Sequence, residues 1–245
     1  MKCRVAIPEP TSTNAEYNEH ALPQYINAVE AEGGEALVVP AKATPHEIAK
    51  LITRCEGVLL PGSPADVDPQ KFGAERHPRT APADPGRDNI DELLLQDAHN
   101  LHKPVLGICY GLQSLNVWRT GTLVQHIENT GINHEAGRKI EFAHEVEIVP
   151  ESKLAHALRS THVRVNSSHH QSAENPGDGL RVVARCSKDG IIEALEGTAP
   201  DHFVLAVQWH PERTYRVDPP SKAIFREFMK AVRSWKPREV SESVG

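Results

Sequence analysis

Cysteine is scarce in this chain of 245 residues, which holds four: Cys3, Cys55, Cys109 and Cys186. No two form a C-x-x-C pair, which excludes zinc-ribbon and thioredoxin-type arrangements. A chain this long buries enough surface to need no disulfide staples, so Cys3, Cys55 and Cys186 read as small buried hydrophobes. Aromatics are only 5% of residues, which makes the core aliphatic. No apolar run approaches the roughly 20 residues of a membrane span. The first eight residues lack the apolar region of a signal peptide. A soluble, cytoplasmic protein is expected. Positive charge is also short, with 27 Lys and Arg against 33 Asp and Glu. Neither nucleic acid nor an anionic membrane is therefore an expected partner.

Histidine is plentiful, with 14 residues, and invites a metal reading. His99 and His102 have helical i, i+3 spacing, but they sit at a helix end where imidazole also suits the dipole. His169 and His170 are adjacent and point apart in an extended segment. His126, His134, His144, His156 and His162 show no recognisable ligand spacing, and no H-E-x-x-H occurs. No metal site and no organic cofactor are expected.

Short apolar runs alternate with helical periodicity through the first half. Strands are expected at 5–7, 36–39, 57–60 and 105–108. Helices are expected at 17–32, 45–54, 87–102 and 110–119, with Thr44 as an N-cap and Gly33-Gly34 as a stop. This rhythm predicts an α/β fold with a doubly wound, mostly parallel, flavodoxin-like sheet. From about residue 139 the texture becomes β-rich, with strands at 139–149, 162–165, 180–186, 191–195 and 204–208. The expectation is a small β-rich insertion, and then a closing helix over 221–235. Residues 1–235 read as one domain and 236–245 as a frayed polar tail. The stretch 61–86 holds six prolines and three glycines without periodicity. A loop this long that leaves a strand's C-terminal end suggests a ligand-facing segment.

Gly107-Ile108-Cys109-Tyr110-Gly111 joins an expected strand to an expected helix. It is the G-x-nucleophile-x-G elbow with sulfur in place of the serine oxygen. The helix N-terminus beside Cys109 favours thiolate, and the Tyr110 N–H faces a developing oxyanion. His210-Pro211-Glu212 follows the strand at 204–208. In an extended segment, i and i+2 project together, so Glu212 would orient His210 as the base for Cys109. Leu60-Pro61-Gly62-Ser63-Pro64 makes a sharp turn whose backbone N–H groups face the same space.

Together these stretches resemble the class I glutamine amidotransferase superfamily. So do Gly86-Arg87-Asp88, Val165-Asn166-Ser167-Ser168-His169-His170-Gln171 and the helix from Tyr110 to Val117. Within the superfamily the chain looks most similar to the γ-glutamyl-γ-aminobutyrate hydrolase branch of cysteine γ-glutamyl peptidases. The resemblance implies that Cys109 attacks a γ-glutamyl amide, with His210 and Glu212 completing the triad. It implies an oxyanion hole from backbone N–H groups of Gly62 or Ser63 and of Tyr110. It gives substrate contacts to Gln113, Ser168, His169, His170 and Gln171. The implied partner is a small γ-glutamyl molecule, with a homodimer left open. Two departures stand out. Thr120 replaces the first glycine of the family's Gly-Gly-Thr after the elbow helix. Arg213 stands where an aromatic residue usually follows H-P-E, which leaves the leaving amine open. Two other readings remain: a glutaminase subunit that passes ammonia to a synthetase, and a catalytically silent binding module.

Overall fold

The computed structural model describes residues 2–128 and 130–237. Five strands form the parallel part of the sheet: β1 (Arg4–Pro8), β2 (Glu35–Val39), β3 (Gly57–Leu60), β4 (Val105–Ile108) and β11 (Val204–Val207). Their order is β2-β1-β3-β4-β11, and every pairing among them is parallel. The helices between them are α1 (Ala15–Ala31), α2 (Pro45–Ile52), α3 (Pro85–Leu101) and α4 (Tyr110–Trp118). Thr44 caps α2 through a reciprocal capping box with Glu47. Gly33, at φ +84°, ends the turn after α1.

The β-rich half continues the same sheet rather than standing apart. The strands β6 (His144–Ile148), β7 (His162–Val165), β9 (Leu180–Cys186) and β10 (Ile192–Gly197) extend it antiparallel beyond β11, in the order β11-β10-β9-β6-β7. β6 begins at His144, so the expected strand start at 139 is five residues early. Three short elements escape sequence periodicity: β5 (Thr122–Val124), β8 (Ser172–Asn175) and α5 (Lys153–Leu158). β5 and α5 are too short to show their periods, and β8 (Ser-Ala-Glu-Asn) has a single apolar residue, so none stands out from a turn. α7 (Pro219–Ser234) closes the fold. Residues 238–245 of the expected polar tail lie outside the described residues.

The sheet divides the apolar core. One face packs Val5, Ile7 and Leu106 against α1 and α7. The other packs Ala6, Val58 and Leu60 against α2, α3 and α4. This alternation follows from successive strand residues pointing to opposite faces. The loop 61–86 contains one 3-10 turn, Pro69–Phe72, and is pinned at several points. The buried Arg87 guanidinium donates to the carbonyls of Pro10 and Pro61 at 2.8 and 2.7 Å, and to Asp91 at 2.7 Å. It ties the C-terminal ends of β1 and β3 to the start of α3. No described helix is long and apolar enough to cross a membrane.

Candidate active site

β4 and β11 pair in parallel, with Ile108 opposite Val207. Cys109 and His210 therefore leave the sheet from one edge, and the N–H of Cys109 donates to Val207 O at 2.8 Å. Cys109 sits at φ +53°, ψ −106° immediately before α4. A side-chain-bearing residue is strained in that conformation, and such strain clusters at functional sites. Gly111 permits the elbow's close approach: a Cβ there would stand 2.2 Å from Leu60 O.

His210 precedes a short helix, α6 (Pro211–Thr214). Glu212 thus lies in a helical turn, not in the extended segment that i, i+2 projection assumes. Proline at the first helical position sets that turn. The two side chains still meet, and His210 Nδ1–H donates to Glu212 Oε1 at 2.7 Å. Asn166 clamps the His210 backbone from both sides: its amide donates to His210 O at 2.8 Å, and its Oδ1 accepts from His210 N–H at 2.9 Å. The Pro61-Gly62 turn packs onto the pair. A Cβ at Gly62 would lie 2.9 Å from His210 Cε1 and 3.5 Å from Cys109 Cβ.

The electrostatics differ from the thiolate expectation. Burial pushes the Cys109 thiol up to about 12, although Arg213 and the Tyr110 N–H pull it down. Burial also lowers the His210 imidazole, with Glu212 opposing. Burial raises the Glu212 carboxyl, yet His210 and Arg213 outweigh this and leave it below its ordinary value. Burial thus favours the neutral thiol and the neutral imidazole, with the Glu212 carboxylate orienting the ring. Desolvation of one full charge outweighs the partial charge of a helix end.

The turn's backbone donors are not equivalent. Gly62 N–H donates to the buried Tyr25 hydroxyl at 3.1 Å. Ser63 and Tyr110 are the other expected donors. The sequence marks Tyr25 only as an apolar-face residue of α1, because nothing in its spacing signals a hydrogen bond across the fold.

The expected substrate contacts separate. Gln113 is buried and donates to Gln171 O at 3.2 Å and Gln208 Oε1 at 3.3 Å. Gln171 donates to Gln125 O at 3.0 Å, and its buried Oε1 has no hydrogen-bond partner among the described residues. His170 faces Asp66 of the long loop at 3.1 Å. Ser168 is half-buried. His169 instead turns into a buried group with His134, His144 and Glu193. Arg213 and Asn166 are contributors that the spacing did not single out. Arg213 Nη1 is buried without a hydrogen-bond partner, and its Nε lies 3.6 Å from Glu212.

The architecture is that of the class I glutamine amidotransferases. At the level of shape, the chain matches a Thermoplasma acidophilum protein described as belonging to GMP synthase, with a TM-score of 0.64 over 96% of each chain at 14% identity. The family model for Peptidase C26 matches residues 5–212, and the chain belongs to that family. It is 34% identical over 222 residues to the γ-glutamyl-γ-aminobutyrate hydrolase PuuD of Escherichia coli, covering 85% of this chain and 84% of that one. It is 37% identical over 193 residues to a Mycobacterium tuberculosis protein named as a glutamine amidotransferase. That match covers 78% of this chain and 61% of the longer relative.

Proposed function

We propose that the chain is a cysteine hydrolase that cleaves the γ-glutamyl amide bond of a small γ-glutamyl compound. The observation that carries this reading is the elbow cysteine beside a histidine whose Nδ1–H is bound to Glu212 at 2.7 Å. That bond leaves Nε2 as the basic nitrogen. His210 takes the thiol proton as sulfur attacks the γ-carbonyl, so the ion pair forms only along the reaction path. The N–H groups of Tyr110 and Ser63 receive the oxyanion, while the Gly62 N–H stays with Tyr25. His210 then protonates the departing amine. Water, deprotonated by the same imidazole, opens the γ-glutamyl thioester and releases glutamate. The net reaction is amide plus water to acid plus amine.

Arg213 supports an anionic substrate. Its charge acts on both Cys109 and Tyr17, and Tyr17 also lies under Arg138, whose Cζ is 4.9 Å from the ring centroid. Two guanidinium groups at the approach suit the carboxylates of a glutamyl compound. Gln113, Ser168, His170 and Gln171 line the other side in this reading. The family relationship to PuuD points to γ-glutamyl-γ-aminobutyrate as the first compound to test. The assay is glutamate release from a panel of γ-glutamyl amides, without partner protein, against Cys109→Ala. Release by wild type alone supports the hydrolase. Release equal in both chains overturns it. Activity that needs an added synthetase shifts the reading to a glutaminase component of a larger enzyme.

A further inference from the structure

Behind the catalytic edge, four side chains meet without bonding to one another. His134 lies in the loop between β5 and β6, His144 opens β6, His169 lies between β7 and β8, and Glu193 lies on β10. All four are buried, Glu193 completely. Glu193 Oε1 is 3.4 Å from His134 Nδ1, 3.3 Å from His144 Nε2 and 3.6 Å from His169 Nε2. None of these four atoms has a hydrogen-bond partner among the described residues.

The outward nitrogens explain which way the rings are wired. His169 Nδ1 meets Gln171 O at 2.9 Å, and His144 Nδ1 faces Glu145 O at 3.5 Å. A carbonyl only accepts, so each Nδ1 carries a proton. His134 Nε2 meets Asp189 Oδ2 at 2.8 Å, a carboxylate that likewise accepts. Each imidazole is therefore oriented from outside with its second nitrogen aimed at the centre. If the rings are neutral, three lone pairs face a carboxylate oxygen and repel it. If all are protonated, three cations crowd together, with ring centroids 4.7 and 4.9 Å apart for His134–His144 and His134–His169. Both extremes are costly in a dry interior, and a single charge on His134, between Asp189 and Glu193, still leaves the inner nitrogens of His144 and His169 turned on Glu193 as lone pairs.

We propose that His134, His144, His169 and Glu193 form a structural zinc site. In a tetrahedron with bonds of about 2.0–2.2 Å, ligand atoms stand about 3.3–3.6 Å apart, which matches the three distances to Glu193. Three neutral imidazoles and a carboxylate are a donor set that zinc takes readily. Asp189 and the two carbonyls supply the outer acceptors that fix tautomer and raise ligand basicity. Charge also closes: one divalent cation balances Glu193 and Asp189. Four protein ligands leave no open position for substrate, so the ion braces rather than reacts. Its beneficiary is the segment 166–171, which carries His169, the Asn166 clamp on His210 and the Gln171 carbonyl that receives Gln113.

The test uses the full untagged chain, expressed in zinc-supplemented medium and purified without chelator. Metal analysis should return about one zinc per chain. Chelation should lower the melting temperature, and added zinc should restore it. Cobalt(II) added to the stripped chain should give the visible bands of a four-coordinate site. Glu193→Gln and His144→Ala should lose the metal, while the exposed His46→Ala keeps it. Should the two cluster variants fail to fold, the wild-type metal content and cobalt spectrum decide. The proposal is overturned if the zinc-grown chain carries no zinc, takes up neither ion when stripped, and melts unchanged. Retention of full zinc by both cluster variants also overturns it.

Discussion

Two buried histidine–carboxylate groups stand on adjacent strands and are wired in opposite ways. At the end of β11, one imidazole and one carboxylate make a single 2.7 Å hydrogen bond. At Glu193 on β10, three imidazoles face a carboxylate at 3.3–3.6 Å, and the facing atoms have no hydrogen-bond partner of good geometry among the described residues. The difference lies in the outward partners. Glu212 accepts the hydrogen bond from Nδ1–H of His210, which in the proposed mechanism leaves Nε2 to exchange a proton with sulfur. Around Glu193 the outer acceptors hold one N–H of each ring, so a neutral ring turns its lone pair inward. On the two proposals, the same residue types make a proton carrier in one place and a ligand cage in the other. Composition cannot distinguish them, because the hydrogen bond on the far nitrogen decides.

The largest expected effect separates the groups by what fails. Cys109→Ala should lower glutamate release by at least about 10⁴-fold, with stability changed by about 1 kcal/mol or less. His144→Ala should instead cost stability, on the order of 2–4 kcal/mol. Urea melts beside the turnover assay check both. If Cys109→Ala melts as early as His144→Ala, the division of labour fails.

Glu212→Gln comes next, with a loss of about 10²–10⁴-fold in kcat, and its pH profile is the sharper reading. His210 must be neutral to accept the thiol proton. Burial lowers its pKa, so kcat/KM should hold down to below the ordinary imidazole value of 6.5 and fall only under it. Glu212 pushes that pKa upward, so Glu212→Gln should move the acid limb lower still. An acid limb that moves up, or one above 6.5 in the wild type, breaks the neutral-pair assignment.

Arg87 and Asp91 form a third buried pair, with direct hydrogen bonding and no role for a titrating proton. Arg87→Met strands the Asp91 carboxylate and frees the Pro10 and Pro61 carbonyls. A loss of about 3 kcal/mol is expected in chemical denaturation. A smaller loss than that of His144→Ala would mean that an ordinary ion pair costs less to break than the Glu193 cage.

The parallel half of the fold was legible because its signals are local. Gly57–Leu60 and Val105–Ile108 are apolar runs bounded by breakers, and the elbow is five consecutive residues. Leu180–Cys186 and His162–Val165 also follow from pattern alone. What stayed hidden depends on distance across the chain. The Glu193 cage draws single residues from two loops and two strands, so no spacing rule finds it. Tyr25 meets Gly62, and Asn166 meets His210, through contacts that no periodicity encodes. Burial opposes the expected thiolate for a related reason. Helix-end polarity can be read locally, whereas burial is a property of the finished fold.

Thr120 lies outside both histidine groups and is the smallest effect. It is the residue just past the end of α4 and its cap, at φ +69°. The turn there is a Schellman motif: Thr120 N–H donates to Val117 O at 2.9 Å, and Gly121 N–H donates to Asn116 O at 2.8 Å. The motif demands the left-handed region at this position, where a branched side chain costs about 1–2 kcal/mol. The family's glycine would avoid that strain. It would also loosen the unfolded chain, which costs roughly 0.5–1 kcal/mol. Thr120→Gly should therefore stabilise by only about 0.5–1 kcal/mol net, a rise of about 2 °C in Tm. Thr120→Ala separates the two contributions, since it keeps a Cβ in the same backbone conformation. It should gain less than glycine, because removing the branch relieves only part of the strain. A Thr120→Gly chain that melts no later than wild type would mean that another interaction offsets the strain. The Thr120 hydroxyl bond to Arg119 O, at 2.5 Å, would then be the first one to remove.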